Sequence, residues 1–182
     1  MNYFYCVDDS SLHRSLMTQL IGSICEVNKV DDFEIIECGD GMAFIEAMTG
    51  RPPSLVMLDI NMPVMDGLTA LIKLRNYPLW QYAQAPVIII SSENEKVVRR
   101  LSEGARPAPK DEKKKADLLQ RVIDRVSSNQ EAEGKINSVL QACACLGMDP
   151  VKLAYSQGAN LFLGKPLDME EAVDKLSGYI CN

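Results

Sequence analysis

Hydrophobic positions along this 182-residue chain return at two different periods. Four short runs rich in β-branched and aromatic residues, at 3–7, 33–37, 54–58 and 87–90, are separated by stretches of helical spacing. After the first run Leu12, Leu16, Leu20 and Ile21 form an apolar stripe, with Asp9, Ser10 or Ser11 as its N-cap. Ala43, Ile45, Ala47 and Met48 form a second, closed by the breaker at 50–53; Leu68, Leu71, Ile72 and Leu74 form a third that stops before Tyr77 and Pro78. Residues 160–164 read as a fifth strand, behind which Asp168 caps a helix, with Glu171 three residues on and Met169, Ala172, Val173 and Leu176 as its apolar positions. Strand and helix alternate five times, which predicts an α/β fold with a parallel sheet.

One crossover is out of proportion. About 70 residues separate the fourth run from the fifth, far more than a crossover needs. Within them, 95–101 reads as a continuing helix and 104–109 as its break. Residues 110–126 are amphipathic, with Leu118, Leu119, Val122, Ile123 and Val126 on one face and Asp117 and Arg121 spaced i,i+4. A polar turn at 127–130 follows. Ile136, Val139, Leu140 and Cys143 repeat the helical spacing up to Gly147, and Asp149-Pro150 opens a short helix that ends at Gly158. The chain therefore reads as a single domain over 1–182 with a helical segment, 94–149, inserted before the last strand. Helices this short are marginal alone in water, so the two stripes are expected to pack on each other, on the sheet flank or on a partner. A solvated elaboration is the alternative, which the lysine-rich stretch 110–115 favours.

Charge and composition narrow the function classes. The net charge of −6 argues against nucleic-acid binding, which draws on clustered lysine and arginine. It is unevenly placed: residues 94–149 hold 11 basic against 9 acidic side chains, and the rest of the chain carries the negative excess. Six scattered cysteines without a CxxC pair, and His13 as the only histidine, speak against structural zinc and a secreted disulfide framework. No basic region precedes an apolar stretch at the N-terminus and no run is long enough to insert in a membrane, so a cytoplasmic protein is expected. Cys6 and Cys38 read as core strand residues. Cys143 and Cys145 cannot share one helix face, which favours packing plus exposure over a metal pair. Trp80 and Tyr82 read as loop packing before the fourth strand, and His13 as a helix-surface residue rather than a relay.

The chemistry gathers at the ends of the strands. In a doubly wound sheet of order 2-1-3-4-5 the first and third strands are neighbours, and groups at their carboxyl ends meet at the topological switch point. Asp8 and Asp9 follow the first strand and Asp59 the third. Three carboxylates so placed require raised pKa values or a bound cation, and oxygen-only ligands favour Mg²⁺ over zinc. The fourth strand brings the Ser91 hydroxyl to the same rim and the fifth the Lys165 ammonium. Such a site suits a phosphoryl group, with a carboxylate nucleophile, a divalent ion and partners for the equatorial oxygens.

Four stretches carry a family resemblance: Val7-Asp8-Asp9-Ser10; Leu58-Asp59-Ile60-Asn61-Met62-Pro63 with Met65-Asp66-Gly67; Ile89-Ile90-Ser91-Ser92-Glu93; and Gly158-Ala159-Asn160-Leu161-Phe162-Leu163-Gly164-Lys165-Pro166. In this order they resemble the receiver domain of two-component response regulators, particularly the stand-alone chemotaxis (CheY-like) type. The resemblance covers 1–93 and 150–182. Asp59-x-Asn61 is also found in haloacid-dehalogenase-type phosphatases, but there the nucleophile follows the first strand and here the third.

The resemblance implies a flavodoxin-like, doubly wound five-stranded parallel sheet of order 2-1-3-4-5, with a helical insertion between strand 4 and strand 5. It implies that Asp59 is the phosphoryl acceptor from a phosphohistidine on a histidine kinase. Mg²⁺ would be held by Asp9, Asp59 and the backbone carbonyl of Asn61, with Asp8 in the outer shell through a water. Ser91 would be the switch hydroxyl and Lys165 the counter-cation, carried by a cis bond to Pro166. Asn61 and Glu93 would tune dephosphorylation, and Phe162 takes the aromatic switch position without a tyrosine's hydroxyl.

Catalysis would be limited to the protein's own phosphorylation and dephosphorylation. Because the chain ends one helix after the fifth strand, output is expected through protein contact, at the face of the family's fourth helix, fifth strand and fifth helix and at the 94–149 segment. A phosphate sink or relay is one alternative, and a constitutive interaction module with a vestigial site another.

Overall fold

The computed structural model describes residues 1–92, 110–128 and 138–181. Its strands are β1 (Asn2–Val7), β2 (Phe33–Cys38), β3 (Leu55–Asp59), β4 (Val87–Ser91) and β5 (Leu161–Gly164). They form one parallel sheet of order β2-β1-β3-β4-β5. The helices are α1 (Ser11–Asn28), α2 (Gly41–Ala47), α3 (Gly67–Arg75), a short α4 (Trp80–Ala83), α5 (Glu112–Ser127), α6 (Val139–Leu146), α7 (Pro150–Ser156) and α8 (Met169–Ile180).

Alternating side chains send each strand into two cores, which is why the central strands are apolar without interruption. Phe4, Cys6, Met57, Ile88 and Ile90 face α1 and α8. Tyr5, Val7, Val56, Leu58, Val87 and Ile89 face the opposite way, into a larger core shared with α2 and α3. Helix starts follow local capping chemistry: Ser10, Asp40, Asp66, Asp149 and Asp168 each accept a backbone N–H of the turn they open. The N-cap of α1 is thus Ser10 among the three candidates. Arg75, at the end of α3, donates to the carbonyls of Ala83, Ala85 and Gly158, tying the connections before β4 and β5 together.

The connection from β4 to β5 adds a further layer. Leu119, Ile123 and Val126 of α5 and Val139, Leu140 and Cys143 of α6 join the same core as Leu68, Leu71 and Ile72 of α3. Of the packing arrangements open to the two stripes, α5 and α6 therefore pack on each other and on α3. The expected helix at 95–101, its break at 104–109, and Ile136 lie outside the described residues. Trp80 and Tyr82 belong to the short helix α4 rather than a loop. Tyr82 is buried against Tyr77, their ring centroids 4.6 Å apart, while Trp80 is 77% exposed. Among the described residues no helix is long and apolar enough to cross a membrane.

Docking of α5 on α3 has a stability signature. Ile123→Ala is expected to lower the unfolding free energy by about 2–4 kcal/mol in one cooperative urea transition. A shift below about 0.5 kcal/mol would show that the helix is not part of the cooperative core.

Candidate functional site

Strands β1 and β3 are hydrogen-bonded neighbours, so Asp8, just after β1, and Asp59, the last residue of β3, stand side by side at the carboxyl edge of the sheet. Both are buried, Asp8 at 0% and Asp59 at 4% exposure. β4 ends beside them in the buried Ser91, and the Lys165 backbone N–H after β5 donates to the Ser91 carbonyl at 3.1 Å. The peptide bond from Lys165 to Pro166 is cis, as expected.

One ammonium joins the two buried acids. Lys165 Nζ donates to Asp8 Oδ2 at 2.6 Å and to Asp59 Oδ1 at 2.9 Å. The remaining oxygens are also held: Asp59 Oδ2 accepts the Asn61 N–H at 3.1 Å, and Asp8 Oδ1 accepts the Ser10 N–H at 2.9 Å. Asp9 is exposed, yet one carboxylate oxygen from each of Asp8, Asp9 and Asp59 lies within 4.8 Å of the others. Three carboxylates against one ammonium leave an excess of negative charge, and hard oxygen donors at that spacing fit Mg²⁺.

Burial shifts both partners. For Asp59 it is the largest influence and raises the pKa from 3.8 to about 6; the Lys165 hydrogen bond and charge oppose the rise, and the charge of Asp8 adds to it. For Lys165 burial works downward, but its hydrogen bonds and charge pairing with Asp8 and Asp59 outweigh it and hold the pKa above its ordinary value.

The remaining expected residues divide. The Ser91 hydroxyl donates to the Ser92 carbonyl at 3.4 Å. Phe162 is half-buried on β5, paired in register with Ile89 and packed against the core that holds α3. Asn61 is exposed, and Glu93 lies outside the described residues. Cys6 and Cys38 are buried, as expected of core strand residues, and Cys143 is buried with Cys145 only partly so, as their spacing implied.

His13 differs from its surface reading. Its Nδ1 lies 3.2 Å from Asp8 Oδ1, where an imidazole N–H donates to a carboxylate. Arg14 Nη1 donates to the Asp8 carbonyl at 2.8 Å. The available signal was the cap: with Ser10 opening α1 directly after β1, the first-turn side chains are turned back toward the strand end.

The loop from β3 to α3 is tightly drawn. Met65 N–H donates to the Pro63 carbonyl at 2.7 Å, across Val64, whose φ of 63° is unusual for a β-branched residue. Gly67 N–H donates to the Ile60 carbonyl at 2.9 Å, and a Cβ on Gly67 would lie 2.0 Å from the Asp59 carbonyl oxygen, so only glycine fits there. Asp66 caps α3 by accepting the Thr69 N–H at 2.9 Å.

Comparison with known proteins agrees with this geometry. The family model of the response regulator receiver domain matches residues 4–123, a stretch that ends inside α5 and stops short of β5 and Lys165. A protein-glutamate methylesterase/protein-glutamine glutaminase of Geobacter sulfurreducens is 37% identical over 101 residues, 54% of this chain and 24% of that protein. The chain thus matches about a quarter of the length of such curated relatives. Among solved structures, the Vibrio cholerae chemotaxis protein CheY4 aligns with a TM-score of 0.57 at 17% identity, covering 98% of both chains. The signal receiver domain of a DNA-binding response regulator from Colwellia psychrerythraea aligns with a TM-score of 0.61 at 14% identity, covering 100% of both.

The raised Asp59 pKa predicts a pH dependence in metal-free protein. A carboxyl whose pKa is about 6 folded and 3.8 unfolded keeps a proton in the folded state between those values. Its stabilising contribution is therefore complete below about pH 4 and lost as pH rises through about 6. With a chelator present, wild type should lose roughly 1–3 kcal/mol more than Asp59→Asn between pH 4 and pH 7. Parallel urea curves for the two proteins across that range would contradict the assignment.

Proposed function

The chain belongs to the response regulator receiver family, and from that premise we propose that it takes a phosphoryl group onto Asp59 from a histidine kinase and signals by protein contact. The observation that carries this reading is the single Lys165 ammonium shared by buried Asp8 and Asp59 at the strand ends. It supplies both a nucleophile and a cation that can follow the incoming charge.

With a pKa of about 6, Asp59 is largely ionised at neutral pH and able to attack phosphorus. One of its oxygens forms the new P–O bond while the P–N bond of the donor phosphohistidine breaks and its electron pair returns to the imidazole. Asn61 N–H, already on Oδ2, orients the carboxylate. Lys165 keeps its bond to Asp8 and moves its other contact from the carboxylate to a phosphoryl oxygen, so the ammonium stays paired throughout. The Ser91 hydroxyl turns from the Ser92 carbonyl to a second phosphoryl oxygen.

Asp9, Asp59 and the Asn61 carbonyl, with Asp8 behind them, are the residues that would hold Mg²⁺, and the bound ion offsets negative charge on the carboxylates and phosphoryl oxygens. Catalysis in this reading extends only to the protein's own phosphorylation and dephosphorylation.

Two variants test it. Asp59→Asn should lower labelling by acetyl phosphate in Mg²⁺ by about a hundredfold or more, since the amide cannot form the acyl phosphate; a labelled variant would overturn the acceptor assignment. Lys165→Ala should still bind Mg²⁺ but show no conformational response to phosphorylation. A response equal to wild type would remove Lys165 from the coupling role.

A further inference from the structure

We infer that the helical segment between β4 and β5 follows the state of Asp59 through a buried hydrogen-bond relay at the start of α3, an inference that rests on the receiver reading above. Contact begins at the acceptor itself. Gly67, the first residue of α3, sits against the Asp59 carbonyl with no room even for a methyl group, and its N–H is bonded to the Ile60 carbonyl at 2.9 Å. A displacement of the Asp59 backbone or of the loop after it therefore reaches the first turn of α3 without slack.

The next step is polar and buried. The Thr69 hydroxyl donates to Asp66 Oδ2 at 2.7 Å and accepts the Val139 N–H at 3.0 Å. The direction is forced, because a carboxylate only accepts, a backbone N–H only donates, and the hydroxyl has one proton to give. Thr69 is 5% exposed and Val139 0%.

Val139 opens α6, and the first N–H groups of a helix have no partner within it. Ser138, the N-cap, accepts the Gln141 N–H instead, so the Val139 N–H depends on Thr69, 70 residues away in sequence. Apolar packing of Leu119, Ile123 and Val126 against the same core lets α5 move with α6. Apolar contact alone tolerates sliding, whereas a buried hydrogen bond sets the register of α6 on α3.

The relay can be cut from either side. Val139→Pro removes the donor and puts a ring of similar size in place of the buried isopropyl group: proline is favoured at the first helical position, and Ser138, at φ −106° and ψ 122°, already has the extended backbone that a following proline needs. Thr69→Val removes the hydroxyl and Thr69→Ser retains it. Amide hydrogen exchange of the full chain in Mg²⁺, with and without beryllofluoride as a stand-in for the phosphoryl group, is read over 60–67 and 140–146. In wild type and Thr69→Ser both stretches should slow by about threefold or more. In Val139→Pro and Thr69→Val only 60–67 should respond, with acetyl-phosphate labelling of Asp59 retained.

Response at 60–67 without response at 140–146 in wild type would overturn the relay. So would a wild-type response at 140–146 in Val139→Pro, which also serves if Thr69→Val fails to fold. Absence of response at 60–67 in wild type would overturn the receiver reading and the relay with it.

Discussion

Two carboxylates buried against one ammonium set the terms for the rest of the molecule. Neither Asp8 nor Asp59 can lose its water without a replacement, and the site replaces it with Lys165, the Ser10 and Asn61 N–H groups and the His13 ring. Those donors come from distant parts of the sequence, and the sheet order is what joins them. With β1 beside β3 the acids are adjacent; with β4 next, a short residue, Ser91, fits the rim; from β5, at the edge, only a long side chain reaches both acids. The assignment of long and short side chains to outer and inner strands is thus a geometric requirement of the charge cluster.

The same cluster explains why the surrounding loops have so little freedom. Asp59 keeps its orientation through the Asn61 N–H, which in turn depends on the turn that carries Val64 at positive φ and brings Gly67 back to the Asp59 carbonyl. From there α3 starts with a buried cap, Asp66. α3 itself is buried on nearly every side, from Gly67 through Ile72 and again at Leu74. A helix apolar all round needs cover on its outer face as well as its inner one, and α5 and α6 supply that cover.

Much of this was legible in the sequence because it depended on period and on short-range motifs. The alternation of strand and helical spacing placed all five strands, and the acids, Ser91 and Lys165 follow directly from being strand-terminal. The docking of α5 and α6 was legible only as a need: the stripes of Leu119, Ile123 and Val126 and of Val139, Leu140 and Cys143 demanded a partner, and nothing in their spacing named α3. Two polar residues were missed for different reasons. Thr69 reads as an ordinary helical residue because its partner, the Val139 N–H 70 residues on, becomes a neighbour only through tertiary packing, whereas His13 meets Asp8 Oδ1 five residues back through the geometry of the α1 cap, which apolar spacing does not report. α4 was too short for periodicity to report, and of the packing expected of Trp80 and Tyr82 only that of Tyr82, against Tyr77, is found.

The position of the β4–β5 segment in the chain matters as much as its contacts. It leaves β4 at Ser91 and returns through β5 to Lys165, so the two residues that would bind the phosphoryl oxygens are its covalent boundaries, and Thr69 holds it in between. A rearrangement of charge at Asp59 acts on the segment at three places at once: at the Ser91 end, at the Lys165 end and through the Gly67 contact that positions α3. A surface loop attached only at its ends could absorb the first two by flexing. Helices α5 and α6, packed on α3 with α6 held in register, receive the third directly and must either resist it or move with it. The buried hydroxyl of Thr69, where an apolar side chain of similar size would satisfy the packing, is the feature that sets these helices apart from such a loop.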